Sequence, residues 1–134
     1  MDDIKTVFAG RRILVIEDDV LLGIELMEEL ETIGAEPIGP VMSVTAALHA
    51  VQTYQRIDAA LMNVKLRGEA SVAVADALIE RHIPFLFVTG DDTFVRELYP
   101  QIPYHTKPAQ MPMLIEALAT ALSCSKMEQP HGDP

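Results

Sequence analysis

The sequence has one cysteine, few basic residues and no long apolar run. The single cysteine, Cys124, excludes a disulfide within the chain and suits a reducing compartment. The 10 basic residues against 20 acidic ones give a net charge of -10, which disfavours binding to nucleic acid or to anionic membrane because like charges repel. No apolar stretch approaches the roughly 20 residues that cross a bilayer, and the start lacks a secretion signal. We expect a cytoplasmic protein with neither nucleic acid nor membrane as a partner.

The length and apolar content indicate one compact domain. A chain of 134 residues with 49% hydrophobic and 22% charged residues is large enough to form a full core. We expect a loose lead-in over 1–11, the domain itself over 12–122, and a flexible polar tail over 123–134.

Apolar runs and helical stripes alternate along the domain. Short buried-type runs predict strands at 12–16, 36–41, 59–63, 83–88 and 103–106. Helical spacing predicts helices over 20–33, from the cap Ser43 onward, over 70–82, over about 93–98 beginning at Asp91 or Asp92, and over 111–122. This alternation favours an α/β fold: a five-stranded, doubly wound, flavodoxin-like (βα)5 parallel sheet with strand order 2-1-3-4-5.

Polar side chains close four of the predicted strands. Glu17 and Asp18 follow the first strand, Asn63 ends the third, Thr89 ends the fourth and Lys107 follows the fifth. Ligands of open α/β sheets bind outside the carboxyl ends of the strands, so these side chains are expected to share one pocket.

The chemistry of this set suits a cation together with an anion. Carboxylate and amide oxygens are ligands for Mg²⁺, and an amine with a hydroxyl suits a phosphoryl group. Taken singly, Thr89 could close a turn, Lys107 could be a surface lysine, and the acidic run could cap the following helix. The functional interpretation rests on their convergence.

From Arg12 to Leu122 the chain resembles the receiver domain of two-component response regulators. The resemblance is carried by Ile-Glu-Asp-Asp at the first strand end, Phe-Val-Thr-Gly at the fourth, the aromatic Tyr104, and Thr-Lys-Pro around Lys107. It implies a Mg²⁺ site at Glu17, Asp18, Asn63 and Lys65, and a phosphoryl-binding and switch set at Thr89, Tyr104 and Lys107. It also implies a cis bond between Lys107 and Pro108.

Asn63 departs from the family pattern, which has a phosphate-accepting aspartate at this position. A carboxamide has no anionic oxygen and is a poor nucleophile, so ordinary aspartyl phosphorylation is expected to fail. The loss of one negative charge should also weaken Mg²⁺ binding. Two explanations stay open: a natural pseudo-receiver, or an Asp→Asn variant of an active receiver.

The resemblance implies partners rather than a reaction. It predicts a non-enzymatic protein that contacts a histidine kinase or a histidine phosphotransfer protein and a downstream target. The contact surface would be formed by 91–122, a surface through which a homodimer could also form. With only residues 123–134 after the domain, we expect a stand-alone receiver.

An alternative is a small flavodoxin-like phosphoryl-binding protein or phosphohydrolase that uses the acidic pocket. The lack of a glycine-rich loop after the first strand counts against a nucleotide or flavin ligand.

Overall fold

A parallel five-stranded sheet forms the centre of the computed structural model, which describes the backbone of 2–91, 93–108 and 110–132 and the side chains of 4–91, 93–108 and 110–123. Within these residues the helices are α1 Asp2–Phe8, α2 Val20–Thr32, α3 Val44–Thr53, α4 Val72–Glu80, α5 Thr93–Leu98 and α6 Met111–Gly132. The strands are β1 Arg12–Ile16, β2 Glu36–Val41, β3 Ala59–Asn63, β4 Lys65–Leu66, β5 Glu69–Ala70, β6 Phe85–Thr89 and β7 Tyr104–Thr106. None of the helices in this described part is long and apolar enough to cross a membrane.

The large sheet has the order β2-β1-β3-β6-β7, and all its pairs are parallel. This is the predicted order 2-1-3-4-5 for the five main strands, so the predicted fold is confirmed. The register places Asn63 opposite Val88, and Thr89 opposite Thr106. The strand ends that carry the candidate residues therefore meet at one edge.

Helices cover both faces of the sheet. On one face, a buried cluster joins the sheet to α3, α4 and α5, with Ala47, Val74, Leu78 and Val95 at most 1% exposed. On the other face, Leu26, Leu30, Leu114 and Leu118 join the sheet to α2 and α6. Burial on both faces explains why the central strands are continuous apolar runs rather than alternating ones.

The two ends of the chain differ from the prediction. Residues 2–8 form α1, not an irregular lead-in, and its last residue, Phe8, is fully buried against the cluster beneath α2 and α6. The last helix was predicted to end at Leu122 but continues through Gly132. Neither glycine nor proline occurs from 123 to 129, so no residue there interrupts a helix.

The exposed side of α2 carries apolar side chains. Val20 and Ile24 are 52% and 44% exposed, whereas Leu26 and Leu30 are buried. The side of α2 that faces the sheet is therefore the one that carries Leu26 and Leu30.

A two-stranded hairpin, β4–β5, follows Asn63 and was not predicted. Its turn residues Arg67 and Gly68 have φ values of 53° and 83°, as in the primed turns that match strand twist. The hairpin takes Ala70 out of the predicted third helix, which runs only from Val72 to Glu80.

Gly39 allows β2 to bulge beside the site. Its φ is +117°, and a Cβ atom there would lie 2.7 Å from the carbonyl oxygen of Val15. The register shift that follows brings Val41 opposite Ile16, and the Val41 carbonyl accepts a hydrogen bond of 2.9 Å from the backbone N–H of Glu17. The bulge thus helps to fix the first acidic residue of the site.

Candidate functional site

Glu17 is a buried carboxylate with three donors. Only 2% of the residue is exposed, directly after β1. The Nζ atom of Lys107 lies 3.2 Å from its Oε1, and its Oε2 accepts hydrogen bonds of 3.0 Å from the Asp19 N–H and from Nδ2 of Asn63. A buried carboxylate is tolerated when it is paired and hydrogen-bonded in this way.

Asp18 is tied to the hairpin. Its Oδ2 accepts a hydrogen bond of 2.8 Å from the backbone N–H of Arg67, and its Oδ1 lies 3.4 Å from Nδ2 of Asn63. Partial burial raises the pKa of Asp18, but the Arg67 hydrogen bond and smaller effects, including the Lys107 charge, outweigh it and lower that pKa below its usual value. Asp18 therefore stays ionised at neutral pH.

The neighbouring Asp19 has a different role. Its Oδ1 accepts from the N–H of Leu22 at 3.2 Å and caps α2. The helix-capping interpretation of the acidic run is confirmed for this residue, whereas Glu17 and Asp18 face the strand ends.

The carboxamide of Asn63 points its nitrogen at both acids. Nδ2 donates to Glu17 and Asp18, while Oδ1 faces the backbone N–H of Lys65 at 3.4 Å. An amide nitrogen carries no available lone pair and cannot ligate a cation. In this orientation Asn63 offers the acids an N–H donor rather than a ligand oxygen, so Mg²⁺ binding by Glu17, Asp18 and Asn63 would require the carboxamide to turn. The described part contains no cluster of three or more His, Cys, Asp or Glu side chains placed to hold a metal. The Lys65 side chain is exposed, and its contact with the site is through its backbone N–H.

Lys107 reaches the centre of the site, but Thr89 does not. The Thr89 hydroxyl, on a residue 4% exposed, donates to the Asp91 carbonyl at 3.0 Å and accepts from the Asp91 N–H at 3.1 Å. This closes a turn, as one interpretation of the sequence predicted. The strand-end backbone still joins the two residues, because the Lys107 N–H donates to the Thr89 carbonyl at 2.7 Å.

Tyr104 lies on the edge strand β7, opposite Phe87. It is partly buried and packs against the core cluster that contains Phe87 and Tyr99. The Lys107–Pro108 peptide bond is cis, as expected from the resemblance.

Ser71 supports the site, although no sequence signal marked it. It is 1% exposed, and its hydroxyl lies 3.1 Å from the carbonyl oxygen of Asn63 and 2.8 Å from that of Val64. A serine before a helical run usually indicates a cap, yet its side chain makes no capping bond to α4. It instead holds the chain where β3 ends.

The chain is similar to solved structures of other proteins, whereas no protein-family model and no curated sequence matches it. It is 36% identical to SdrG from Sphingomonas melonis Fr1, in a match that covers 90% of this chain and 98% of that one at a TM-score of 0.70.

Two further structures share the fold at lower identity. One is a response regulator receiver protein from Sinorhizobium medicae WSM419, 19% identical, with a TM-score of 0.77 over 87% of this chain and 97% of that one. The other is the receiver domain of the sensor histidine kinase PA1611 from Pseudomonas aeruginosa PAO1, solved with magnesium in its active-site cleft. It is 23% identical, with a TM-score of 0.73 over 86% of this chain and 99% of that one. By its sequence relationship to SdrG, its shared architecture and its strand-end residues, the chain belongs to the family of response regulator receiver domains.

Proposed function

We propose that this chain is a cytoplasmic signalling receiver that does not accept a phosphoryl group at Asn63 and acts through protein contact. The observation that carries the proposal is the 3.0 Å hydrogen bond from Nδ2 of Asn63 to Oε2 of Glu17. The group at the acceptor position is a donor, whereas attack on phosphorus needs an electron-rich oxygen.

The donors around the acidic pair support one fixed arrangement. The Asn63 amide, the Lys107 ammonium and the backbone N–H groups of Asp19 and Arg67 together satisfy Glu17 and Asp18. Their positive or partly positive ends offset two negative charges that would otherwise repel. The proposal therefore assigns to these donors the charge compensation that a bound metal ion supplies at an acidic pair.

Partner contact then carries the signal. We assign the contact surface to α5, β7 and α6, which adjoin Thr89 and Lys107, with a histidine kinase or histidine phosphotransfer protein and a downstream target as partners. Binding at this surface would act on the switch set Thr89, Tyr104 and Lys107 from outside. A protein that binds one state of a receiver more tightly shifts its population as a bound phosphoryl group does.

Mg²⁺ binding at Glu17, Asp18, Asn63 and the neighbouring Lys65 is weak in this proposal. It requires the carboxamide to turn so that Oδ1 faces the acids, which breaks the bonds from Nδ2. It also has one negative charge fewer than the same site with an aspartate. The proposal holds for a natural pseudo-receiver and for an Asp→Asn variant, and the coding sequence from the source distinguishes the two.

Phosphorylation by a small phosphodonor tests the proposal. The purified chain and its Asn63→Asp variant are incubated with acetyl phosphate and Mg²⁺ and then analysed by intact mass spectrometry. We expect one phosphoryl adduct on the variant and none on the parent chain. A stoichiometric adduct on the parent chain that maps to 59–68 would overturn the proposal.

A further inference from the structure

A polar cavity lies at the opposite edge of the sheet from Asn63. Its volume is about 220 Å³, and it is lined by the loops that lead into β1, β3 and β6, with Leu122 of α6 at one side. Its charged lining residues are Arg11, Arg56, Asp58 and Arg81, and the imidazole of His82 also lines it. Three of the ten basic residues of a chain with net charge -10 thus converge on one cavity.

The Arg81 guanidinium is held rigidly at the end of α3. Its Nη1 donates to the carbonyl oxygens of Val51 and Tyr54, and its Nη2 donates to that of Gln55 at 2.9 Å. These carbonyls lie at the helix C-terminus, where a cation is favoured. The positive charge therefore stays at the cavity wall.

Arg11 and Arg56 lie on either side of Asp58. The Nε atom of Arg56 is 3.3 Å from Oδ2 of Asp58, and Nη1 of Arg11 is 3.8 Å from Oδ1. The same carboxylate also accepts a hydrogen bond of 2.8 Å from the backbone N–H of Arg12. One carboxylate thus opposes three guanidinium groups, and the cavity keeps an excess of positive charge.

Each of these guanidinium groups still has N–H donors for another acceptor. Arg56 uses Nη2 on the Gly10 carbonyl and Nε on Asp58, and Arg11 uses Nε on the Val7 carbonyl at 3.2 Å. Within the part of the chain that the structure describes, Nη1 of Arg56 and Nη2 of Arg11 make no hydrogen bond. Guanidinium forks are suited to bind the oxygens of phosphate in pairs.

We propose that this cavity binds a phosphate group, as free phosphate or as part of a small phosphate ester. Cationic groups from three loops approach from different directions, which suits a tetrahedral anion better than a planar carboxylate. The volume exceeds that of several water molecules at about 30 Å³ each, so a phosphate group fits. This proposal is independent of the proposed function, because no residue of the cavity belongs to the Asn63 site.

Titration with inorganic phosphate tests the cavity. Sodium phosphate is added to the chain at constant ionic strength, with sodium chloride and sodium acetate as parallel titrations. Binding is followed by the thermal midpoint and by backbone amide NMR shifts. We expect a saturable effect of phosphate alone, with the shifts centred on 55–58 and 81–83.

Two variants locate the binding. Arg56→Gln, at a side chain 58% exposed, should fold normally and weaken phosphate binding at least about tenfold, because it removes a charged donor. Arg11→Gln gives an independent second measurement. Lys5→Gln removes the same charge from the exposed surface of α1 and should leave the affinity unchanged.

Glycerol 3-phosphate distinguishes the two sources. If it competes with phosphate, the cavity accepts an ester; if phosphate alone binds, the ligand is the free ion. The proposal is overturned if phosphate acts no differently from chloride or acetate. It is also overturned if both arginine variants bind phosphate as tightly as Lys5→Gln does.

Discussion

The carboxamide nitrogen of Asn63 lies 3.0 Å from Oε2 of Glu17, a hydrogen bond that an ionised aspartate at position 63 could not donate. At the same time, Nζ of Lys107 lies 3.2 Å from the other oxygen of Glu17. The buried carboxylate is therefore stabilised from two sides, by a neutral donor and by a charge. Loss of the donor at Asn63 or at Lys107 would therefore leave the Glu17 carboxylate less well paired, and because Glu17 is 2% exposed, water cannot replace the lost donor.

Loss of Lys107 should destabilise the fold through Glu17. In Lys107→Met the stem is kept and the charge is removed, so Glu17 keeps its hydrogen bonds from Asp19 and Asn63 but loses its ion pair and its hydrogen bond with Lys107. Breaking a buried pair costs several kcal/mol, but the Lys107 side chain is 27% exposed and two other donors remain. We expect the free energy of unfolding to fall by about 1–3 kcal/mol in urea denaturation.

Lys5→Met is the matched control, since it removes an exposed lysine of α1. It should change the free energy of unfolding by no more than about 0.5 kcal/mol. Equal effects of the two substitutions would show that the ion pair with Glu17 contributes nothing specific.

Ser71 should contribute as much to the stability of the fold as the site residues that the sequence predicted. Ser71→Ala removes a hydroxyl from a residue that is 1% exposed and leaves the Asn63 and Val64 carbonyls with fewer partners. Burial of less well satisfied polar groups predicts a loss of about 1–3 kcal/mol in urea denaturation. In NMR spectra the shifts should centre on 63–71.

The control for this substitution is Ser123→Ala, at an exposed position on α6. It should stay within about 0.5 kcal/mol of the parent chain. A Ser71→Ala protein as stable as this control would show that the two contacts of the Ser71 hydroxyl do not hold the end of β3.

Local sequence patterns were enough to predict the sheet, but they did not predict the hydrogen bonds that hold the site residues in place. The strands β1, β3 and β6 are continuous apolar runs because both of their faces are buried, and this is visible without tertiary structure. Asn63 and Glu17 could be placed together because parallel strands end at one edge.

The missed features depend on contacts between distant segments. The N–H of Arg67 bonds to Asp18, 49 residues earlier in the chain, and no local pattern in the sequence encodes that pairing. Phe8 is buried because α1 packs beside α6, so its helix depends on a surface made at the other end of the chain. Thr89 is at the predicted place, but its hydroxyl is directed by the turn at Asp91.

Alkaline pH should destabilise the protein through Tyr99. Burial, followed by its 3.0 Å hydrogen bond to Asp76, raises the pKa of Tyr99 to about 12 from 10.0. The folded state therefore favours the neutral phenol, while the unfolded chain ionises at lower pH. This contribution is fully present below pH 10 and is lost as the pH rises through about 12.

Tyr99→Phe isolates that contribution. The variant has no phenol to ionise. Between pH 7 and 9 the difference in unfolding free energy between parent and variant should stay constant. Above pH 10 the parent should lose stability relative to the variant. A pH-independent difference over the whole range would contradict a raised pKa at Tyr99.

Asn63→Asp should make the stability of the protein depend on a bound divalent cation. The substitution replaces an N–H donor by a third carboxylate beside Glu17 and Asp18, and like charges at this distance repel. In EDTA we expect a lower thermal midpoint than that of the parent chain, and a free energy of unfolding lower by about 1–3 kcal/mol.

Mg²⁺ should reverse the difference, because a ligand that binds only the folded state stabilises it in proportion to the logarithm of its concentration over Kd. Three carboxylates offer the hard oxygen donors that Mg²⁺ binds, whereas in the parent chain the Asn63 nitrogen must first turn away from Glu17. The thermal midpoint of Asn63→Asp should therefore rise at Mg²⁺ concentrations that leave the parent chain almost unchanged. Sodium chloride at matched ionic strength separates site binding from general screening. If Mg²⁺ stabilises the parent chain as strongly as the variant, the amide does not take the place of the cation.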